Sequence, residues 1–215
     1  MIRIATDKEL SSNRSADRKA QIKKAALERF ARNGFHQTKI SDIVRDAGVS
    51  QGTFYLYFKS KEAVALEIIE SGRKQLLEVI AQGYRSGTGT VADMQQASEA
   101  LLAELFAYAR DNRYFMELLL VGAGTDELLR GAIAETRTAM EEAFRRNIER
   151  AIELGMLPDT ISTDVRAALL MGLIEGIVSR WLFGTSEAHA SIAEKSPQEL
   201  AAATARFEFF GLIGI

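Results

Sequence analysis

Five residues between positions 51 and 57 carry the chemistry needed to contact a nucleic acid. Gln51 and Thr53 can hydrogen-bond the edges of bases, and a threonine methyl group can also touch thymine. Tyr55 and Tyr57 carry hydroxyls that suit phosphate oxygens. Gly52 has no side chain and therefore permits close approach of its backbone. The segment combines groups that could recognise bases with groups that could hold a phosphate backbone.

These side chains can act together only on a short helix that is held at a fixed angle to another helix. The spacing of apolar residues predicts helices at about 39–47 and 51–58, joined by a tight turn at Gly48, where a Cβ would be penalised. This is the helix-turn-helix arrangement, which leaves the outer face of its second helix free to enter a major groove. The alternative is a helix-turn-helix that serves only for packing. Four side chains are expected to lock the two helices together: Ile43, Val49, Phe54 and Phe58.

Two residues at predicted helix starts extend this surface. Thr38 is placed to act as the N-cap of the helix at 39–47. Lys61 begins the following helix, where its ammonium group and the free backbone amides together would bind a phosphate.

The distribution of charge supports contact with phosphate by the N-terminal part alone. The formal net charge of the chain is −2, but the segment from Met1 to Lys61 holds 13 Lys+Arg against 6 Asp+Glu, a net of +7. The remaining residues hold 14 basic and 23 acidic side chains, a net of −9. A basic head on an acidic body is expected if only the head meets DNA, although chance clustering of solvated charges would give the same count.

Composition indicates an all-α protein that folds in a reducing compartment. Hydrophobic residues make up 47% and charged residues 26% of the 215 residues, which is ordinary for a globular chain. Only two prolines occur, and apolar residues recur mostly at helical spacing. Cysteine is absent, so neither a disulfide framework nor thiolate chemistry is expected. No apolar run approaches the roughly 20 residues that cross a bilayer, and residues 1–18 lack the apolar segment of a signal sequence.

The pattern predicts three regions along the chain. Residues 1–17 are polar and aperiodic and are expected to form a disordered arm, residues 18–62 a helix-turn-helix domain, and residues 63–215 a larger helical domain. Ser196 begins a capping box that should start the last helix. The predicted helices are 18–33, 39–47, 51–58, 61–84, 91–111, 113–122, 125–155, 162–184 and 197–213.

The segments Thr38–Val44 and Ala47–Glu62 resemble the DNA-binding signature of the tetracycline-repressor (TetR/AcrR) family, and the match extends over Ile22–Leu66. The resemblance implies a bacterial, cytoplasmic transcription regulator: an Ω-shaped homodimer on a palindromic operator in double-stranded DNA, with an effector pocket in its C-terminal domain. Its residue roles are implied position by position. Gln51 and Thr53 would contact bases, Thr38 and Lys39 would begin the helix before the recognition helix, and Tyr55, Tyr57 and Lys61 would hold the backbone. Lys39 departs from the Ser or Thr of many members, which implies a phosphate contact and leaves capping to Thr38.

The most apolar predicted helix, 162–184, carries a ridge of small residues that would let another helix approach closely: Ala168, Gly172, Gly176 and Ser179. Together with the helix at 197–213 it resembles the two-helix surface through which this family dimerises. The alternative is that both are ordinary core helices of one subunit.

An effector site is expected in the C-terminal domain, for an apolar or amphipathic molecule. Glu175 lies within an apolar helix, where a carboxylate must be paired, protonated or bound to something; an ion pair with an arginine across the interface is the alternative to ligand contact. Aromatic and methionine residues at helical spacing are more often plain core. The full set of candidates is Phe106, Tyr108, Phe115, Met116, Leu119, Met140, Phe144, Glu175 and Trp181.

Catalysis is not expected. The two histidines, His36 and His189, are far apart in the sequence, and there is no cysteine, phosphate-binding glycine loop or paired-carboxylate motif. We therefore expect no cofactor and no metal. The remaining alternatives are a DNA-binding regulator without a small-molecule effector, whose C-terminal domain serves only dimerisation or protein contacts, and an activator in place of a repressor.

Overall fold

The computed structural model describes residues 7–122 and 126–211, with side chains from Ser15 onward except that of Ala188. These residues form helices and no strand, so the predicted all-α fold is confirmed for the described part of the chain. The helices are α1 (Asp7–Asn33), α2 (Ile40–Asp46), α3 (Gln51–Tyr57), α4 (Lys61–Ala81), α5 (Val91–Asp111), α6 (Arg113–Leu120), α7 (Glu127–Glu153), α8 (Thr163–Phe183), α9 (Ala190–Ala193) and α10 (Pro197–Phe210), with a 3₁₀ turn at Glu187–His189.

The prediction of a disordered arm over residues 1–17 is wrong for residues 7–17, which form the first turns of α1. The reason is that α1 continues as a polar helix ahead of its apolar stripe, so hydrophobic periodicity did not mark its start. Residues 1–6 of the predicted arm lie outside the described residues. The short helices between Glu187 and Ala193 were also not predicted.

The chain forms two compact units. The first is Met1–Glu70 with Gly122–Ala132, and the second is Ser71–Val121 with Ile133–Ile215. The predicted domain boundary between residues 62 and 63 lies within α4. The two units instead divide inside helices, so that α4 and α7 each contribute residues to both.

The core of the first unit is built from apolar stripes at helical spacing. Ile22, Ala26 and Phe30 of α1 are buried, as are Ile43 of α2 and Phe54 of α3. Each buried side chain of this size removes enough apolar surface from water to contribute about 1.5–3 kcal/mol before entropic costs. The three helices are therefore held in one arrangement by the faces that point away from solvent.

Capping groups fix the helix starts in the second unit. The Thr90 hydroxyl accepts from the Asp93 backbone N–H at 3.2 Å, and the Asp93 carboxylate accepts from the Thr90 N–H at 2.7 Å. Ser196 and Glu199 form the same reciprocal pair at α10, which confirms the predicted capping box. Among the described helices, none is both long and apolar enough to cross a membrane.

Candidate nucleic-acid interface

The turn between α2 and α3 is built by local hydrogen bonds around Gly48. The Gly48 N–H donates to the Arg45 carbonyl at 3.2 Å, and the Val49 N–H donates to the Val44 carbonyl at 3.0 Å. This is the Schellman arrangement, which requires a positive φ at the residue after the C-cap. Gly48 supplies it with a φ of +64°. The predicted role of Gly48 is confirmed.

The start of α3 is fixed by Ser50. Its Oγ accepts from the Thr53 backbone N–H at 3.0 Å and lies 2.8 Å from the Thr53 hydroxyl oxygen. Thr53 is half-buried, and its hydroxyl already has one hydrogen-bond partner within the chain. Because hydroxyls both donate and accept, the pair can still offer a hydrogen-bonding group outward.

The outer face of α3 is open. Gln51 and Gly52 are exposed, and Tyr55 is 52% exposed, with its ring edge packed on Phe54 at a centroid distance of 5.5 Å. Leu56, which was not predicted to belong to this surface, is 83% exposed. A large apolar side chain left this open on a short helix is consistent with contact to another molecule, such as a thymine methyl group.

Gly52 has no structural reason to lack a side chain. A Cβ built at this position would lie 3.8 Å from the Ser50 Oγ, which is ordinary van der Waals contact, and its φ is not positive. The space in front of Gly52 is thus available to a partner rather than filled by the chain itself.

Tyr57 is half-buried, and its hydroxyl oxygen lies 3.1 Å from the Ser15 Oγ of α1. The phenol therefore has an internal partner, while one further hydrogen-bonding position remains. The contact shows that α1 reaches the same side of the unit as the end of α3.

The prediction that Thr38 caps α2 and contacts DNA is wrong. Thr38 is 2% exposed, and its hydroxyl donates to the Gly34 carbonyl at 2.8 Å and the Arg29 carbonyl at 3.2 Å, which satisfies the end of α1. The N-cap position is Lys39, whose backbone N–H donates to the Asp42 carboxylate at 3.3 Å. The side chain of Lys39 is exposed, so it stays in the candidate interface.

Lys61 was also predicted to bind a phosphate, and its ammonium group is used within the chain instead. Its Nζ donates to the carbonyls of Phe35 at 2.7 Å and Thr38 at 2.9 Å, and lies 4.2 Å from the centroid of the Phe35 ring. Lys61 therefore fastens the α1–α2 turn to the start of α4. Lys59, two residues earlier and exposed, is the basic side chain that sequence reasoning missed.

An ion pair between α1 and α2 holds the frame of the motif. The Arg29 Nε donates to the Asp46 Oδ2 at 2.5 Å, and the Arg29 Nη2 donates to the Asp46 Oδ1 at 2.9 Å. The hydrogen bonds from Arg29 lower the pKa of Asp46 by more than desolvation raises it, and the positive charge of Arg29 lowers it further. Bidentate geometry of this kind fixes orientation as well as distance.

The predicted effector residues mostly form the core of the second unit. Phe106 and Trp181 are buried with ring centroids 6.3 Å apart, and the Trp181 indole N–H donates to the Lys195 carbonyl at 3.0 Å. The Tyr108 hydroxyl donates to the Gln75 Oε1 at 3.1 Å, and burial raises the pKa of Tyr108 to about 12. The cavity next to Met116, Leu119, Met140 and Glu175 measures about 20 Å³, which is room for about one water molecule.

Glu175 is paired within its own chain. The Arg137 Nε donates to the Glu175 Oε1 at 2.7 Å, and a second hydrogen bond from the Arg137 Nη2 completes a bidentate pair between α7 and α8. The arginine alternative is therefore the one observed, inside the subunit. Of the predicted effector residues, only Phe144 lines a second cavity, which measures about 80 Å³. This second cavity adjoins a larger one of about 460 Å³, which Phe144 does not line. In the described part of the chain, no group of His, Asp and Glu side chains could hold a metal ion.

Two family models match the chain, one within the first unit and one over most of the second. Residues 22–68 match the model described as bacterial regulatory proteins of the tetR family. Residues 95–202, half of the chain, match the model described as the C-terminal region of MAATS-type transcriptional repressors.

Relatives match the chain over most of their own length. The chain is 23% identical over 201 residues to an HTH-type transcriptional regulator, YdgC, of Bacillus subtilis, which covers 94% of this chain and 95% of that protein. It is 25% identical over 163 residues to the fatty acid metabolism regulator protein of B. subtilis, and the alignment covers 75% of this chain and 82% of that protein. The solved structure of the fatty acid degradation regulator FadR from Bacillus halodurans has the same fold, with a TM-score of 0.75 at 20% identity over 91% of this chain and 96% of that one. FadR from B. subtilis in complex with stearoyl-CoA gives a TM-score of 0.72 at 21% identity, covering 90% and 98%.

Proposed function

The chain belongs to the TetR family of DNA-binding transcriptional regulators, and we propose that it is a repressor that leaves a palindromic operator when it binds a small effector. The proposal places the protein in the bacterial cytoplasm, where its DNA target lies. The observation that carries the proposal is the open face of α3, where Gly52 lacks a side chain although the fold leaves room for one.

The proposed DNA surface consists of Gln51, Gly52, Thr53, Tyr55 and Tyr57, with the exposed ammonium groups of Lys39 and Lys59. Base contacts from the start of α3 would give specificity, and phosphate contacts from the tyrosines and lysines would give affinity that falls with salt. Thr38 and Lys61 act on the scaffold instead, by holding the turn between α1 and α2.

A homodimer is proposed because a single short recognition helix offers few base contacts, and two half-sites increase specificity. The exposed side of α8 and α10 supports this arrangement. Leu169 is 68% exposed and Phe207 is 42% exposed, and a Cβ at Gly172 would meet nothing within 4 Å. Large apolar side chains beside an open small-residue position suit close packing against a second copy.

The effector is proposed to be an apolar or amphipathic molecule. Apolar side chains line most of the large cavity of the second unit, which supports this class. A structural relative, FadR from B. subtilis, is bound to stearoyl-CoA, itself an amphipathic molecule. Effector binding would release DNA only if the effector binds more tightly to a form of the dimer that fits the operator poorly.

The test begins with selection of an operator from random DNA by the purified full-length protein, followed by binding measurements at fixed salt. Gln51→Ala should relax selection at one base pair of each half-site, and Tyr55→Phe should weaken binding to all sequences alike. Tyr84→Phe is the matched control, because Tyr84 is similarly exposed but lies in the second unit. Unchanged affinity and specificity in both α3 variants would contradict the proposed surface.

A further inference from the structure

The second unit contains a cavity of about 460 Å³ with walls from α7, α8 and α10. A narrower cavity of about 80 Å³ adjoins it and extends to Met94 of α5 and Phe144 of α7. Leu170, Glu208 and Phe209 are among the residues that line both, so the two are parts of one space. Ligand sites in proteins measure roughly 300–1,000 Å³ and are mostly apolar with a few polar groups. The combined cavity fits this description.

Glu208 is the carboxylate in the wall of this space. The Ser98 hydroxyl donates to its Oε2 at 2.5 Å across the junction of α5 and α10. Two arginines also line the space, and both are turned to backbone carbonyls: Arg85 donates to Asp93 at 2.9 Å, and Arg166 donates to Pro158 at 2.6 Å. Among the described residues, Glu208 therefore has a hydrogen bond from a neutral hydroxyl and no ion pair.

The protein atoms around Glu208 disfavour the charged form of its carboxyl group. Glu208 is exposed to solvent at the edge of the larger cavity, and the other side chains that line this cavity are mainly apolar. Desolvation by the surrounding protein atoms raises the pKa of Glu208, and the hydrogen bond from Ser98 offsets only part of that effect. A carboxylate in this situation is stabilised by any bound group that supplies a positive charge or hydrogen-bond donors.

We propose that this cavity is a binding site for a lipophilic amine, with the protonated amine against Glu208 and the apolar body along Leu170 and Phe209. A ligand with a carboxylate head would meet repulsion from Glu208. A flat protein partner would cover the mouth but could not reach the inner part near Phe144. The identification of this ligand as the effector rests on the proposed function, whereas the binding site itself does not.

The location connects the site with the proposed dimer surface. Leu169 and Phe207 line the mouth of the larger cavity and are also the exposed side chains expected to face a second copy. A ligand in the cavity would therefore contact the same helices that carry the dimer contacts.

The experiment measures direct binding of three probes to the full-length protein by calorimetry: decylamine, decanol and decanoate, below their aggregation concentrations. The expected order of affinity is decylamine, then decanol, then decanoate. Glu208→Gln keeps the size and the hydrogen-bond acceptor for Ser98, and should weaken decylamine about tenfold or more while leaving decanol nearly unchanged. Glu194→Gln is the matched control, because Glu194 is exposed and lines neither cavity.

A second variant, Leu170→Trp, places an indole in the shared wall and should abolish binding of decylamine and decanol, with folding checked by circular dichroism. Equal affinity for all three probes, or decylamine affinity that Glu208→Gln does not change, would overturn the proposal. Binding of decylamine only after truncation behind Gly211 would also overturn it, since the apolar tail would then be the occupant.

Failure of the site and failure of the proposed function are separable, because operator binding is measured in parallel. Decylamine binding without operator binding would support the site and refute the repressor proposal. Operator binding without decylamine binding would refute the site alone.

Discussion

Replacing Gly52 with alanine separates folding from DNA recognition at a single atom. The added Cβ would lie 3.8 Å from the Ser50 Oγ and meet no other group of the chain, apart from its immediate surroundings in the helix. Alanine is a better helix former than glycine, so the free energy of unfolding should rise by about 0.5–1 kcal/mol. In a chain of this size, that corresponds to a midpoint increase of about 1–4 °C.

The same methyl group should weaken operator binding. If the backbone of α3 approaches the DNA at Gly52, the methyl group pushes the helix outward and lengthens the contacts of Gln51 and Thr53. Loss of about 1 kcal/mol at each of two recognition helices gives about 2 kcal/mol in total, or about 30-fold in the dissociation constant. Fluorescence anisotropy with a labelled operator at fixed salt measures the change.

Gly48→Ala is the matched control with the opposite sign. Its φ of +64° penalises any Cβ by about 1–2 kcal/mol, although a Cβ there would meet nothing within 4 Å. Gly48→Ala should therefore lower the unfolding midpoint, while Gly52→Ala raises it. A Gly52→Ala protein that is more stable and binds its operator with unchanged affinity would refute the proposed approach of DNA at this position.

Three further changes test other parts of the structure. Lys61→Met removes the hydrogen bonds to the carbonyls of Phe35 and Thr38 and should lower the free energy of unfolding by about 2 kcal/mol, measured by chemical denaturation. Unchanged stability with a loss of operator affinity would instead place Lys61 on the DNA surface. Leu169→Glu places a charge on the exposed side of α8 and should shift the protein from dimer to monomer in analytical ultracentrifugation, which an unchanged dimer would contradict. Hydrogen bonds to Glu199, first from the Ser196 backbone and then from Lys195, lower its pKa to about 2. The ionised carboxylate therefore stabilises the fold at pH values above its unfolded pKa of about 4.3, and this stabilisation is lost as the pH falls toward 2. Thermal unfolding should therefore show a smaller loss of stability between pH 5 and about 2 in Glu199→Gln than in the unaltered protein, and parallel pH profiles would contradict this.

The recognition motif could be predicted because its determinants are contiguous in the sequence. Gly48 produces the turn, Ser50 caps α3, and Phe54 is buried, all within one short segment whose residue types encode local geometry directly. The end of α4 at Ala81 and the short helices before α10 were less predictable, since the residues there are neither strongly periodic nor marked by clear capping signals.

The errors at Thr38 and Lys61 have a common cause. Each is a polar residue near a helix start, where sequence patterns favour capping or phosphate binding. In the fold, their polar atoms instead satisfy carbonyls at the end of α1 and in the turn after it. Buried or half-buried carbonyls require donors, and a residue 26 positions away supplies one at Phe35. The direction of such a side chain depends on tertiary contacts that residue type and spacing do not encode.

The same reasoning explains why most of the residues that line the cavity were not predicted. Glu208 and Ser98 are separated by 110 positions and meet only because α10 packs on α5. Ser98 lies among small and polar neighbours and Glu208 lies between Phe207 and Phe209, so neither polar residue marks a cavity by its type or spacing. The aromatic and methionine residues that do stand out, such as Phe106 and Trp181, are the ones whose size makes them most suitable for filling the core. Large apolar residues that stand out in the sequence therefore indicate where the core of this domain is closely packed. A ligand site is better sought where a polar group lines a space that these residues leave unfilled.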